Sequence, residues 1–177
     1  MERLADRITE ELRVLVGQPL SDCWRSANMQ IFGFGPTRQV KNRKGDLVYA
    51  SDLSLHIQCR WRMVDGQSIA FGRDDLNYPA DRSISVETFD WDKDLSVLDV
   101  SQRDWFSGHA GLRLTVTDVQ GDAYGGFRII LAGGAALECF PCDSRRGEYS
   151  EHWRFFGHRA DGSHFVVTGD GVEAGSS

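Results

Sequence analysis

The sequence predicts a predominantly antiparallel β-fold of the α+β class, with one amphipathic helix at its start and a sheet that is curved, folded into a sandwich or closed into a partial barrel. Three observations carry this. One helical periodicity is confined to the N-terminus, strict two-residue alternation recurs through the rest of the chain, and tight turns separate the alternating runs with no helical crossover between them. At 177 residues the chain suits one domain, and its 41% apolar content, with 10 Phe and 5 Trp, supports a packed core without disulfides or metal.

Leu4, Ile8, Leu12 and Leu15 recur at helical spacing among Glu2, Arg3, Asp6, Arg7, Glu10, Glu11 and Arg13. Gly17 and Pro19 then stop a helix predicted over about residues 2–16. The β-rich body extends over about residues 20–168. Met29 to Phe34 and the arms on either side of Lys44-Gly45-Asp46 read as strands. In Leu53 to Met63 the residues Leu53, Leu55, Ile57, Cys59, Trp61 and Met63 alternate with polar ones, which predicts a single strand. Asp65-Gly66 turns it into a hairpin with Ile69 and Phe71.

A further strand is expected at Leu112, Leu114 and Val116, with a turn at Gly121-Asp122. Phe127 to Leu131 and Ala136 to Phe140 pair across Gly133-Gly134, and Trp153 to Phe156 and His164 to Thr168 across Asp161-Gly162. The count is about nine strands. Arg73 to Asp104, with short apolar runs and nine acidic residues, reads as a long surface excursion, and residues 169–177 as a flexible tail.

Composition and motifs exclude more chemistry than they select. The net charge of −6 disfavours a nucleic-acid partner, and the basic cluster Arg38, Lys41, Arg43 and Lys44 reads as a solvated hairpin tip without an aromatic platform. No run is apolar enough to span a membrane, the N-terminus carries charge rather than a leader-like apolar stretch, and four cysteines suit reduced thiols; the expected location is cytoplasmic.

Cys139-Phe-Pro-Cys142, followed by His152 and His158, has the wrong Cys–His interval for a zinc finger and lacks the helix that a redox pair needs, so it reads as two thiols at a strand end and turn. Asp90, Asp92 and Asp94 would share a face of an extended chain, but the glycine and bidentate acid of a calcium loop are missing. No nucleophile elbow or phosphate loop occurs, because Gly33-Phe-Gly35 lacks its third glycine. No metal, cofactor or catalytic residue is assigned.

Trp-Arg occurs at Trp24-Arg25, Trp61-Arg62 and Trp153-Arg154, and on a strand each Trp can enter the core while its Arg faces away. On the predicted strand His56, Gln58, Arg60 and Arg62 then form one polar face. That face is the candidate binding site for a protein with an acidic surface, with internal ion pairs to the acidic excursion as the alternative.

The blocks Leu55-His-Ile-Gln-Cys-Arg-Trp-Arg62, Asp74-Asp-Leu-Asn-Tyr-Pro79, Phe89-Asp-Trp-Asp92, Leu137-Glu-Cys-Phe-Pro141 and Glu151-His-Trp-Arg-Phe155 occur in an order that resembles a group of uncharacterised bacterial single-domain proteins. The resemblance implies a bacterial source and a single domain, and brings no activity or site residue with it. Cys142 departs from the group's pattern. The function expected is a non-enzymatic protein-binding domain of an immunity or regulatory kind. The alternative is a hydrolase-like enzyme or small-ligand binder whose cleft is lined by acids of the 73–104 segment, Asp74, Asp75 and Asp92 among them.

Overall fold

A computed structural model describes residues 3–41, 44–147, 149–157 and 163–173. Helix α1 spans Leu4–Leu12 and ends in a 3-10 turn at Arg13–Leu15. Ile8, Leu12 and Leu15 are fully buried, so the apolar stripe read from the sequence is the face that packs. Strands β1 (Leu20–Ser26), β2 (Met29–Lys41) and β3 (Leu47–Ile57) follow, then β4 (Arg60–Asp65) and β5 (Ser68–Gly72). Helix α2 (Val97–Gly108) precedes β6 (Val116–Gly121), β7 (Phe127–Leu131), β8 (Ala136–Phe140), β9 (Glu151–Gly157), β10 (Phe165–Thr168) and β11 (Gly171–Glu173).

The strands form two antiparallel sheets, β1-β2-β3-β9-β10-β11 and β5-β4-β8-β7-β6, neither closed into a barrel. Their inner faces share one core, in which Phe32 meets Trp61 edge-on at 5.2 Å and Phe127 meets Trp153 at 5.0 Å. The β4–β5, β7–β8 and β9–β10 hairpins and the β2–β3 ribbon pair as the sequence predicts. In the first of these the two-residue turn Gly66-Gln67 places Gly66 at φ +59°, where a Cβ would be strained.

The strand predicted over Leu53 to Met63 is two strands in two sheets. β3 ends at Ile57 and β4 begins at Arg60, and the amides of Gln58 and Cys59 both donate to the His152 carbonyl, at 2.9 and 3.1 Å. The chain turns a corner there without losing its alternation, because Leu55, Ile57, Trp61 and Met63 all remain buried. β3 pairs with β9 and β4 with β8, so an inner strand of one sheet runs on into an inner strand of the other.

Four further expectations are corrected. The 73–104 segment is not a surface excursion: it holds a 3-10 turn at Arg73–Asn77 and most of α2, with Leu76, Ser96 and Leu98 buried. The strand expected from Leu112 starts at Val116, leaving Leu112 at 65% exposure. Trp24 is half exposed because a one-residue irregularity between Leu20 and Asp22 reverses the facing of β1. Residues 171–173 of the expected tail form β11; residues 174–177, like Arg43, His158 and the predicted Asp161-Gly162 turn, lie outside the described residues.

α2 packs on the core through Leu98, Trp105 and Phe106 and is tied down further by polar groups. Ser96 caps it, and Asp99 accepts from the Ser96 amide at 2.9 Å and from Arg25 Nε at 2.7 Å. Gln102 donates to the Cys23 carbonyl, and Trp105 Nε1 to Asp65 Oδ2 at 2.9 Å. Burial opposes the charge on Asp99, but the bonds from Arg25 and Ser96 outweigh it and hold its carboxyl below the ordinary carboxylate range. A depressed acid stabilises the fold above its unfolded pKa, about 3.9, and that contribution is lost as the pH falls through the lower folded value. Asp99→Asn is expected to cost about 1 kcal/mol at neutral pH, from a weaker bond to the Ser96 amide and the loss of an ion pair that solvent screens. Urea midpoints of wild type and variant should converge as the pH falls through the lowered folded value; a gap that stays constant on acidification would contradict this account.

Candidate functional site

The outer face of the second sheet, next to the corner, gathers arginines, acids and amides around two grooves. On β4, Arg60 and Arg62 point away from the core because Trp61 and Met63 point into it. Gly72 ends β5, and the following 3-10 turn is closed by Asp75, which accepts from the Gly72 amide at 2.8 Å. That turn places Arg73, Asp74 and Asn77 beside β4.

Two adjoining grooves result. One, of about 360 Å³, is lined by residues including Gln58, Cys59 and Asn77, the other, of about 410 Å³, by residues including Trp61, Arg62 and Phe140; both are bordered by Arg60, Arg73, Asp74 and Cys142.

Most charges at this site are already matched. Arg60 is ion-paired with Asp74. Arg62 Nε donates to Glu138 Oε2 at 2.6 Å, with its guanidinium 5.6 Å from the Phe140 ring, and Arg128 approaches the other Glu138 oxygen at 3.6 Å. Arg73 differs. It is half-buried, makes no ion pair or side-chain hydrogen bond to a described residue, and has Arg60 as its charged neighbour. Burial first, and the Arg60 charge second, lower its pKa from the ordinary arginine value, although it stays protonated at any physiological pH.

Of the four residues expected to share a polar face, the structure brings three to the grooves and leaves one out. Gln58 and Arg60 line the first groove, and Arg60 and Arg62 the second. His56 belongs to the other sheet, where it bonds with Ser54 Oγ at 3.1 Å and meets the Phe156 ring edge-on at 4.9 Å. The corner between Ile57 and Arg60 separates it from the rest.

Of the acids of the alternative cleft, Asp74 and Asp75 line the second groove and Asp92 lies apart from it. Asp74 is held by Arg60, Asp75 closes the 3-10 turn, and Asp92 lies in a separate turn where its amide donates to Asp90 Oδ1 at 3.1 Å. Asp90 is itself paired with Lys93, so the three alternating aspartates do not sit on an extended strand. Among the described residues no three His, Cys, Asp or Glu side chains are grouped to hold a metal ion, and no helix is long and apolar enough to cross a membrane.

Arg73 and Asn77 are the site residues that sequence reasoning missed. Their one local signal is Asp75, three residues after Gly72 and placed to cap a short turn. Compared with family models, curated proteins and solved structures, the chain gives no match. The chemistry of the grooves is therefore read from their own residues: Arg60, paired with Asp74, and the unpaired Arg73, beside the amides of Gln58 and Asn77, the carboxylates of Asp75 and Asp143, and the carbon of Trp61, Ile69 and Phe140.

Proposed function

We propose that the protein is a non-catalytic binding domain of an immunity or regulatory kind, which recognises an acidic segment of another protein by seating a carboxylate against Arg73 and Arg60. The observation that carries this reading is Arg73: a half-buried guanidinium without a carboxylate, at the junction of two grooves, has given up part of its hydration without receiving a counter-charge. An incoming carboxylate supplies that charge, with Asn77 and Gln58 available as amide donors. Ile69 and Phe140 offer apolar surface to the flanking residues. Four free cysteines suit a reducing compartment, so the same reading places the domain in the cytoplasm.

An oligoglutamate peptide, followed by fluorescence anisotropy, tests this. It is expected to bind wild type in a salt-sensitive manner and to bind Arg73→Glu at least about tenfold more weakly, since like charges meet at the interface. Arg113→Glu, on the exposed loop before β6, serves as the control and should bind as wild type does. Equal binding by wild type and Arg73→Glu, with both melting normally, would remove the support for this site.

The size of the grooves favours one second reading, a small anionic ligand, because about 300–1,000 Å³ is the range of small-molecule sites. Inorganic phosphate titrated alone separates the two: saturable binding of phosphate with none of the peptide supports the second.

A further inference from the structure

Three of the four cysteines gather at the corner, although only two of them are neighbours in sequence. Cys59 lies in the sheet-to-sheet corner, where its amide N–H donates to the His152 carbonyl. Cys139, the penultimate residue of β8, is 2% exposed and pairs in register with Trp61. The two sulfurs lie 3.3 Å apart across 80 residues of chain. Cys142 is exposed, lines the same groove as Cys59, and turns its own thiol to the Phe140 carbonyl at 3.2 Å. The Cys-x-x-Cys spacing in the sequence therefore points to the wrong pair.

We propose that Cys59 and Cys139 are a reversible dithiol, oxidised to an intramolecular disulfide by small disulfides of the glutathione type. This inference is independent of what the grooves bind. Cys59, half-buried at the groove wall, is the sulfur that a small disulfide can reach. Its thiolate attacks one sulfur of that disulfide, forming a mixed disulfide and releasing the first small thiolate, which takes up a proton. Cys139 then gives its proton to solvent and attacks Cys59 Sγ, forming the Cys59–Cys139 bond and releasing the second small thiolate. Two protein thiols are oxidised and one small disulfide is reduced to two thiols.

Burial raises the Cys139 pKa well above the usual thiol value, so this residue attacks slowly and only the sulfur already beside it. The bond would close a loop of 80 residues and tie β4 to β8 at the point where both strands leave the sheet.

The test uses the full, reduced chain incubated with oxidised glutathione, followed by thiol titration after denaturation and non-reducing peptide mapping. The expected result is loss of two of the four thiols, a linked pair of peptides carrying Cys59 and Cys139, and full recovery with dithiothreitol. The Cys142→Ser variant should behave in the same way. A persistent glutathione adduct, a Cys59–Cys142 link, or four free thiols after incubation would each overturn the proposal. The decisive map is made on wild type, so the outcome does not depend on whether a serine is tolerated at the buried Cys139.

Discussion

Replacing Trp153 with Ala is expected to cost about 3–5 kcal/mol, enough to unfold much of a marginally stable domain at room temperature. The ring is fully buried at the sandwich centre, edge-on to Phe127, and its Nε1 donates to the Gly125 carbonyl at 2.7 Å. Ala leaves a cavity and an orphaned acceptor together. Trp61 is buried to the same degree against Phe32 and Phe71, but its Nε1 has no partner among the described residues. The two tryptophans should therefore separate on conservative replacement. Trp61→Phe sheds an unsatisfied donor and should cost less than Trp153→Phe, which strands Gly125; urea midpoints that fell equally for the two Phe variants would contradict the bonding described here. Arg62→Ala, one residue from Trp61 but outside the core, should cost no more than about 1 kcal/mol.

Gly121→Val is expected to be the next most damaging change, at about 2–3 kcal/mol. A Cβ at this position would lie 2.6 Å from the Ala5 carbonyl oxygen and 2.7 Å from Ile8 Cβ, both on α1, while the Gly121 amide donates to Thr9 Oγ1 at 2.8 Å. Neither the helix backbone nor a β-branched side chain can yield cheaply, so α1 must lift from β6 and expose Ile8 and Leu12. Far-UV circular dichroism combined with limited proteolysis near residue 16 would detect this; a variant as resistant as wild type would refute the close approach.

The sequence revealed those elements in which packing alone sets the pattern. α1 and the β4–β5 and β7–β8 hairpins each bury one face, and an amphipathic period then survives in the chain. The corner was hidden because it keeps the alternation: Leu55, Ile57, Trp61 and Met63 stay in phase across Gln58-Cys59, and periodicity registers facing but not which sheet a residue has joined. For the same reason His56 was grouped with Arg60 and Arg62.

α2 was missed for the opposite cause. Only Leu98 is fully buried, Trp105 and Phe106 reach the core only in part, and Asp99, Gln102 and the indole nitrogen of Trp105 add polar anchors, so its apolar stripe is thin. The Ser96-x-x-Asp99 box was the signal that could have located its start. Of the candidate site, the arginines on β4 were visible as outward residues. Arg73 was not, because its value as a site lies in what does not neutralise it, and a sequence does not show which carboxylates are already engaged.

The order of strands also has a kinetic side. Leu55 of β3 meets Phe155 of β9, a hundred positions later, whereas β6, β7 and β8 are joined by short turns. While the chain emerges from a ribosome, β6, β7 and β8 can assemble from neighbours, but β4 must wait for β8 and β3 must wait with an open edge until β9 has been made. Such distant pairing places folding toward the slow, millisecond-to-second end for a domain of this size. Synthesis halted before β9 would leave the most apolar stretch of β3 as a ready template for another copy.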